Sequence, residues 1–491
     1  MTIPSVTVAS GKLRGTIAGS TIVFHAVPYA RPPVGALRFR PPQPVEPWSG
    51  EREAATPGAI APQLPARLSA VMGSFDCPQS EDCLTVTIWT PALDDARRPV
   101  MVWFHGGAWV SGGTVPLYCG ASMAARGDVV VVGVNSRLGA LGYLHLPEVS
   151  PGNLGILDQF AALQWVHREI AAFGGDATNI TIFGQSAGGF TMLAMLASPE
   201  MRSCFCRAIL QSAPFNRALR SIEEATRAGN KMGGLLGIAG NDAWKDAPIA
   251  ELLEAQREVM KGDGAFANPR MPFGPVADGK LLDHDMFERA ADAAVTHGIM
   301  IGYTRDDARA FLVTDERMQT ADHSMVISRF RDYFGAQADQ ALAEYRERCS
   351  TLEPASLLLD MLTDAFLAAA ILRYAERSSE RGGNIHVYRF DWSPPDSIFG
   401  ACHCIDLPFV FNNLEQWSAP MLAGGDPNTM QSLAERVQDA WISFARTGDP
   451  THACPPRWLP YDRLTRQTML FDAHCSIEQD PAGRSRWRFW P

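Results

Sequence analysis

The run Val129-Val130-Val131-Val132-Gly133-Val134 constrains the fold more than any other stretch of this chain. A β-branched run with no polar alternation reads as a strand covered on both faces, and such strands belong to parallel sheets sandwiched between helices. Further short apolar runs have the same form: Val100 to Phe104, Asn179 to Phe183, Arg207 to Gln211, His297 to Ile301 and Ile385 to Phe390. Helix-patterned segments lie between them. From Asp158 to Phe173, the residues Phe160, Leu163, Trp165, Val166 and Ile170 recur at helical spacing, and Ala187 to Leu196 also reads as a helix. Strand–helix alternation over this length predicts an α/β fold with a central, mostly parallel sheet flanked by helices. Residues 220–265 and 320–380 are mostly helical by pattern and are expected as excursions that shape a pocket.

No repeat, low-complexity block or Gly/Ser linker divides the 491 residues, so one domain over 1–491 is expected. The net charge of −10 argues against nucleic acid as a partner, which needs a basic face, and against anionic membranes. Leu357 to Leu372 is apolar but broken by Asp360 and Asp364, so it reads as an amphipathic helix rather than a membrane span. The opening Met1-Thr2-Ile3-Pro4-Ser5-Val6-Thr7-Val8 alternates like a strand and shows no export signal; a cytoplasmic protein is expected, or an exported one if a signal was removed. The ten cysteines show no Cys-x-x-Cys pairing, so free thiols and no metal are expected. Cys77 and Cys83 are near enough in sequence to close a small loop under oxidising conditions.

Gly184-Gln185-Ser186-Ala187-Gly188 fits G-x-S-x-G. In a chain with 42 glycines the pattern alone is weak. Its context strengthens it: the strand run Ile180 to Phe183 leads into it and a helix-forming stretch follows. That is the strand–turn–helix that holds a nucleophilic serine at a sharp elbow. Upstream, His105-Gly106-Gly107-Ala108-Trp109 follows another strand. Small residues there let backbone N–H groups approach a substrate oxygen. Gly107 and Ala108, supported by Gly106, together with Ala187 after the serine, form the expected oxyanion hole.

Several longer motifs stand in order along nearly the whole chain. They are Phe24-His25-Ala26-Val27-Pro28-Tyr29-Ala30 with Leu37-Arg38-Phe39, Ser80-Glu81-Asp82-Cys83-Leu84, Asn153-Leu154-Gly155-Ile156-Leu157-Asp158-Gln159, the serine elbow, and Ala440-Trp441-Ile442-Ser443-Phe444-Ala445 with Gly448-Asp449-Pro450. With them the sequence resembles the type-B carboxylesterase family. The resemblance implies the α/β-hydrolase fold and hydrolysis of carboxylic esters without a cofactor. It also implies the chain order serine, acid, histidine. Gly302 to Phe311 matches the family's acid stretch, with Asp307 where glutamate is usual and Asp306 as the rival, read as a surface or turn carboxylate. Gly400-Ala401-Cys402-His403-Cys404-Ile405-Asp406 matches the histidine loop, so the implied catalytic set is Ser186, Asp307 and His403. Asp406 also stands where the family often has glutamate, and Ser212 matches a serine near the triad that would hydrogen-bond the acid or the histidine. His105 is read as a structural residue.

Ala108 replaces the third glycine of the family's run and is expected to limit bulk near the reacting carbonyl. Trp109, Phe399 and the loop 60–76, with Met72 and Phe75, are candidates to line the gorge, although core packing is as good a reading for any one of them. A small-molecule ester is the expected substrate and a monomer the expected state. An amide or carbamate hydrolase, a lipase, or a non-catalytic binding protein on the same fold are the alternatives.

Overall fold

The valine run becomes an inner strand because it has no polar side to offer water: Val130–Val134 is buried along its whole length. The computed structural model describes residues 3–215, 219–238, 240–261, 271–349, 351–453, 456–483 and 488–490. Its large sheet comprises β1 (Thr16–Ala18), β2 (Thr21–Pro28), β3 (Thr85–Thr90), β4 (Arg98–Phe104), β5 (Val130–Val134), β6 (Gly175–Gln185), β7 (Arg207–Gln211), β8 (Gly298–Thr304), β9 (Ile385–Phe390), β10 (Gln467–Phe471) and β11 (Ser476–Gln479). The strand order is β11-β10-β9-β8-β7-β6-β4-β5-β3-β2-β1. Pairing is parallel from β10 through to β5. It turns antiparallel at both ends, where β3 meets β5, β2 meets β3, β1 meets β2, and β11 meets β10. The parallel strands therefore all deliver their C-terminal ends to one rim, the usual place for a site in an open α/β sheet.

Two apolar clusters cover the sheet. One holds Val100, Val102, Ile182 and Leu210, and the other Met101, Trp103, Phe183 and Ile209, the alternate residues of the same strands. A third cluster joins Phe330, Tyr345, Leu358 and Met361 among the helices of the 320–380 excursion. The 220–265 excursion carries helices Ile222–Leu236 and Ile249–Lys261, while residues 239 and 262–265 lie outside those described.

Three expectations shift. The helix expected from Asp158 begins at Leu154, because Asn153 takes the left-handed conformation and its side chain holds both backbone groups of Val276, turning the chain into the helix. The Leu357–Leu372 segment is not amphipathic. It lies inside a continuous helix, Pro354–Glu380, long and apolar enough to cross a membrane yet 78% buried within the fold over its most apolar window. Asp364, expected on a wet face, is instead buried, accepting from Tyr345 Oη and Arg348 Nη1. Cys77 and Cys83 are both free thiols, and Cys83 is fully buried.

Two of the sequence motifs turn out to hold the scaffold. Arg137 wraps Asp158 with three N–H groups at 2.6–3.1 Å, both side chains being buried. Arg38 grips Glu81 at 2.6 and 2.7 Å and donates onward to the carbonyls of Trp244 and Ala247. Paired and saturated in this way, buried charges are tolerated, whereas removing one partner strands the other.

Candidate active site

Four chain segments leave the rim together. β6 ends at Gln185 and the next helix begins at Ala187, leaving Ser186 alone between them with φ 53° and ψ −119°. That backbone is strained for a residue with a side chain, as in a nucleophile elbow. The flanking glycines are required by close approach to β4. A Cβ on Gly184 would lie 2.7 Å from the Phe104 carbonyl oxygen, and one on Gly188 only 1.9 Å from it. Ser186 donates its backbone N–H to Gln211, 2.9 Å away, and is the one half-buried residue in an otherwise buried run from Ile180 to Phe190.

From the end of β4, His105 and Gly106 turn the chain across the elbow. A Cβ on Gly106 would meet Gln185 Oε1 at 2.4 Å and Ser186 Cβ at 3.3 Å, so the segment lies directly against the serine. Gly107, Ala108 and Trp109 then all take positive φ, 106°, 55° and 64°. Gly107 is exposed and Ala108 half-buried. Among the described residues, no group accepts from the N–H of Gly106, Gly107, Ala108 or Ala187. His105 is buried with Nδ1 2.7 Å from the Gly106 oxygen, bracing the turn, and burial lowers its pKa.

Asp307 follows β8 and His403 follows β9, and the two meet. His403 Nδ1 lies 2.5 Å from Asp307 Oδ1. The other carboxylate oxygen accepts from Ser212 Oγ and from the Thr304 backbone N–H, each at 3.0 Å. Both side chains are almost wholly enclosed. The acid and histidine loops also meet through the backbone, the His403 N–H reaching the Asp307 carbonyl at 3.4 Å. Phe311 lies against the imidazole with ring centroids 4.9 Å apart.

Asp306 points elsewhere. Its Oδ2 accepts from the Ala401 N–H at 2.8 Å and from Arg305, tying the acid loop to the histidine loop. It is thus mostly covered rather than a surface carboxylate, with a side chain 13% exposed. Asp406 is buried beside the pair. Gln211 Nε2 donates to its Oδ2 at 2.8 Å, while Oδ1 has no partner. The Tyr388 hydroxyl is next to it without closing a hydrogen bond of normal geometry. Burial, and then the nearby Asp307 charge, push the Asp406 carboxyl up to about 6 against the opposing effect of Gln211. Burial also pushes the Cys402 and Cys404 thiols well up, so both stay protonated around His403.

Trp109 and Phe399 are packed into the core, Trp109 edge-on against Phe190 at 5.4 Å, and Met72 and Phe75 are partly buried over the same cluster as Phe399. Gln185, Thr304 and Phe311 are the site residues that motif reading misses. Gln185 was legible only as the variable position of the elbow, and the other two carry no signature of their own.

The sequence matches the carboxylesterase family model over residues 2–490. The chain belongs to the carboxylesterase family. Phenmedipham hydrolase of Pseudarthrobacter oxydans is 36% identical, the match covering 93% of both chains. Para-nitrobenzyl esterase of Bacillus subtilis is 35% identical over 100% of this chain and 99% of its own. A solved structure of a Geobacillus stearothermophilus carboxylesterase superposes with a TM-score of 0.86 at 36% identity, covering 99% of this chain and 100% of the other. This carboxylesterase accordingly has the α/β-hydrolase fold and is a serine hydrolase of carboxylic esters.

Proposed function

We propose that Ser186 is the nucleophile, His403 the general base and Asp307 the acid that orients it. The hydrogen bond from His403 Nδ1 to Asp307 Oδ1 carries this reading, because a carboxylate whose other oxygen is held by two further donors fixes both the ring and its tautomer. With the proton on Nδ1, the lone pair on Nε2 is left to take the Ser186 hydroxyl proton. Oγ then attacks the ester carbonyl. The tetrahedral oxygen is received by the amides of Gly107, Ala108 and Ala187, which have no competing acceptor among the described residues. The imidazolium returns its proton to the departing alcohol, leaving an acyl-Ser186 ester. Water, deprotonated by the same ring, releases the acid and restores the serine.

The substrate we infer is a small neutral ester with limited bulk at the carbonyl, since the Ala108 methyl occupies space over the expected donors. Cleavage of amides or carbamates by the same groups is a second reading, supported by a relative of this chain named a probable N-octanoylanthranilate hydrolase. A fluorophosphonate probe should label Ser186 and fail on Ser186→Ala. Matched ester and amide pairs with the same acyl group should show the ester favoured; equal rates would move the enzyme to the second reading.

A further inference from the structure

His403 Nε2, the atom that must take the serine proton, is already engaged. Gln185 Nε2 lies 2.9 Å from it and 3.2 Å from Cys404 Sγ. Ser186 Oγ, by contrast, has no hydrogen-bond partner among the described residues. The chemistry fixes which end of the Gln185 amide faces the ring. Asp307 is acceptor-only and holds the Nδ1 proton, so Nε2 is an acceptor and needs a donor. The second N–H of the same NH₂ group is then directed at the thiol sulfur, and Oε1 is left against Gly106. Gln185 is buried at 1% exposure, so the arrangement is not a surface accident.

We propose that Gln185 is a positioning residue that occupies His403 Nε2 in the resting enzyme, so that attack by Ser186 requires the imidazole to exchange the amide for the hydroxyl. The proposal rests on the assignment of Ser186 and His403 above. Two consequences follow. The amide competes with the serine for the base, which slows nucleophile activation. The amide also has to leave before Nε2 can carry the serine proton, because an N–H there would face the amide N–H. The acidic and thiol groups around the ring are Asp307, Asp406, Cys402 and Cys404, and the variants below alter none of them.

The test uses the full chain as Gln185→Met, which keeps length but donates nothing, and Gln185→Glu, which keeps shape but presents an acceptor. Melting temperature confirms that each folds. Turnover of a neutral ester is measured from pH 5 to 9, with labelling of Ser186 by a small fluorophosphonate at pH 8. The acid limb of kcat/KM should move up by about half to one pH unit in Gln185→Met and further in Gln185→Glu. Labelling of Gln185→Met should be several-fold faster than wild type. An acid limb that stays or moves down in Gln185→Met, or slower labelling at pH 8, overturns the proposal. Failure of the parent assignment would look different: wild type itself would then label elsewhere than Ser186.

Discussion

Two aspartates lie buried within reach of the same imidazole, and they are opposites. Asp307 accepts from His403, Ser212 and Thr304, so both its oxygens are occupied. Asp406 has Gln211 on one oxygen and nothing on the other, and it is held up to about 6 by burial. The same functional group is therefore fully engaged by donors in one place and a costly, half-satisfied acid in the other, a few residues from the histidine. What separates them is the number of donors aimed at each, since desolvation penalises a buried carboxylate unless hydrogen bonds compensate it. Asp306 is a third case: its Oδ2 accepts from both the Ala401 N–H and Arg305, and it works as a brace between loops.

The contrast between the two aspartates matters for catalysis only if His403 serves Ser186. Ser186→Ala should lower kcat by about 10⁵–10⁶-fold with an unchanged melting temperature. Next, Asp307→Asn should cost about 10³–10⁴-fold in kcat by allowing the wrong imidazole tautomer, whereas Asp406→Asn and Asp306→Asn should each cost far less. A similar loss at 406 would erase the distinction drawn here. Ser212→Ala removes one of three donors to Asp307 and should cost roughly tenfold in kcat/KM, with the ring still in place; no loss at all would show that Asp307 is held by the other two alone.

The smallest effect is on stability and sharpens the contrast most directly. An unfolded aspartate loses its proton near 3.8 and folded Asp406 near about 6. Between those values the native state binds more protons, so the Asp406 contribution is intact below pH 3.8 and is lost as pH rises through 6. Asp406→Asn keeps the oxygen that accepts from Gln211 and removes the charge. It should be more stable than wild type by on the order of 2 kcal/mol at pH 8, the gap closing below pH 4. Urea denaturation at the two pH values measures this. His386, lowered to about 4 by burial, works in the opposite sense, since the unfolded chain takes up its proton first and stability falls as pH drops from 6.5 towards 4. Measuring the difference between variant and wild type removes this background.

The order of strands and helices was legible because unbroken β-branched runs and helical spacing have few alternative folds. Arg207–Gln211 and Ile385–Phe390 fall on the residues expected. The Pro354–Glu380 helix was misjudged for a specific reason. Aspartate is read as a wet residue, and only the chain partners Tyr345 and Arg348, supplied from another helix, make a buried Asp364 tolerable. The long motifs were legible as a family, but not as what they do: Glu81 and Asp158 hold the arginines Arg38 and Arg137.

At the site, the sequence by itself determined which side chains are available, namely an elbow serine, small residues after a strand, and an acid and a histidine each on a loop after its own strand. The first two are local facts, set by turn chemistry and strand order, whereas the acid and the histidine were named by the resemblance to the family. Tertiary structure decided the rest. It separated Asp307 from Asp306 and Asp406 by sending Ser212 and Thr304 to one carboxylate, and it placed Gln185 rather than Ser186 on Nε2 of His403. The reason is that Ser212 reaches Asp307, and Gln185 reaches His403, from segments distant in sequence, and which donor reaches which acceptor is fixed by packing of the sheet and its loops, where no local pattern records it.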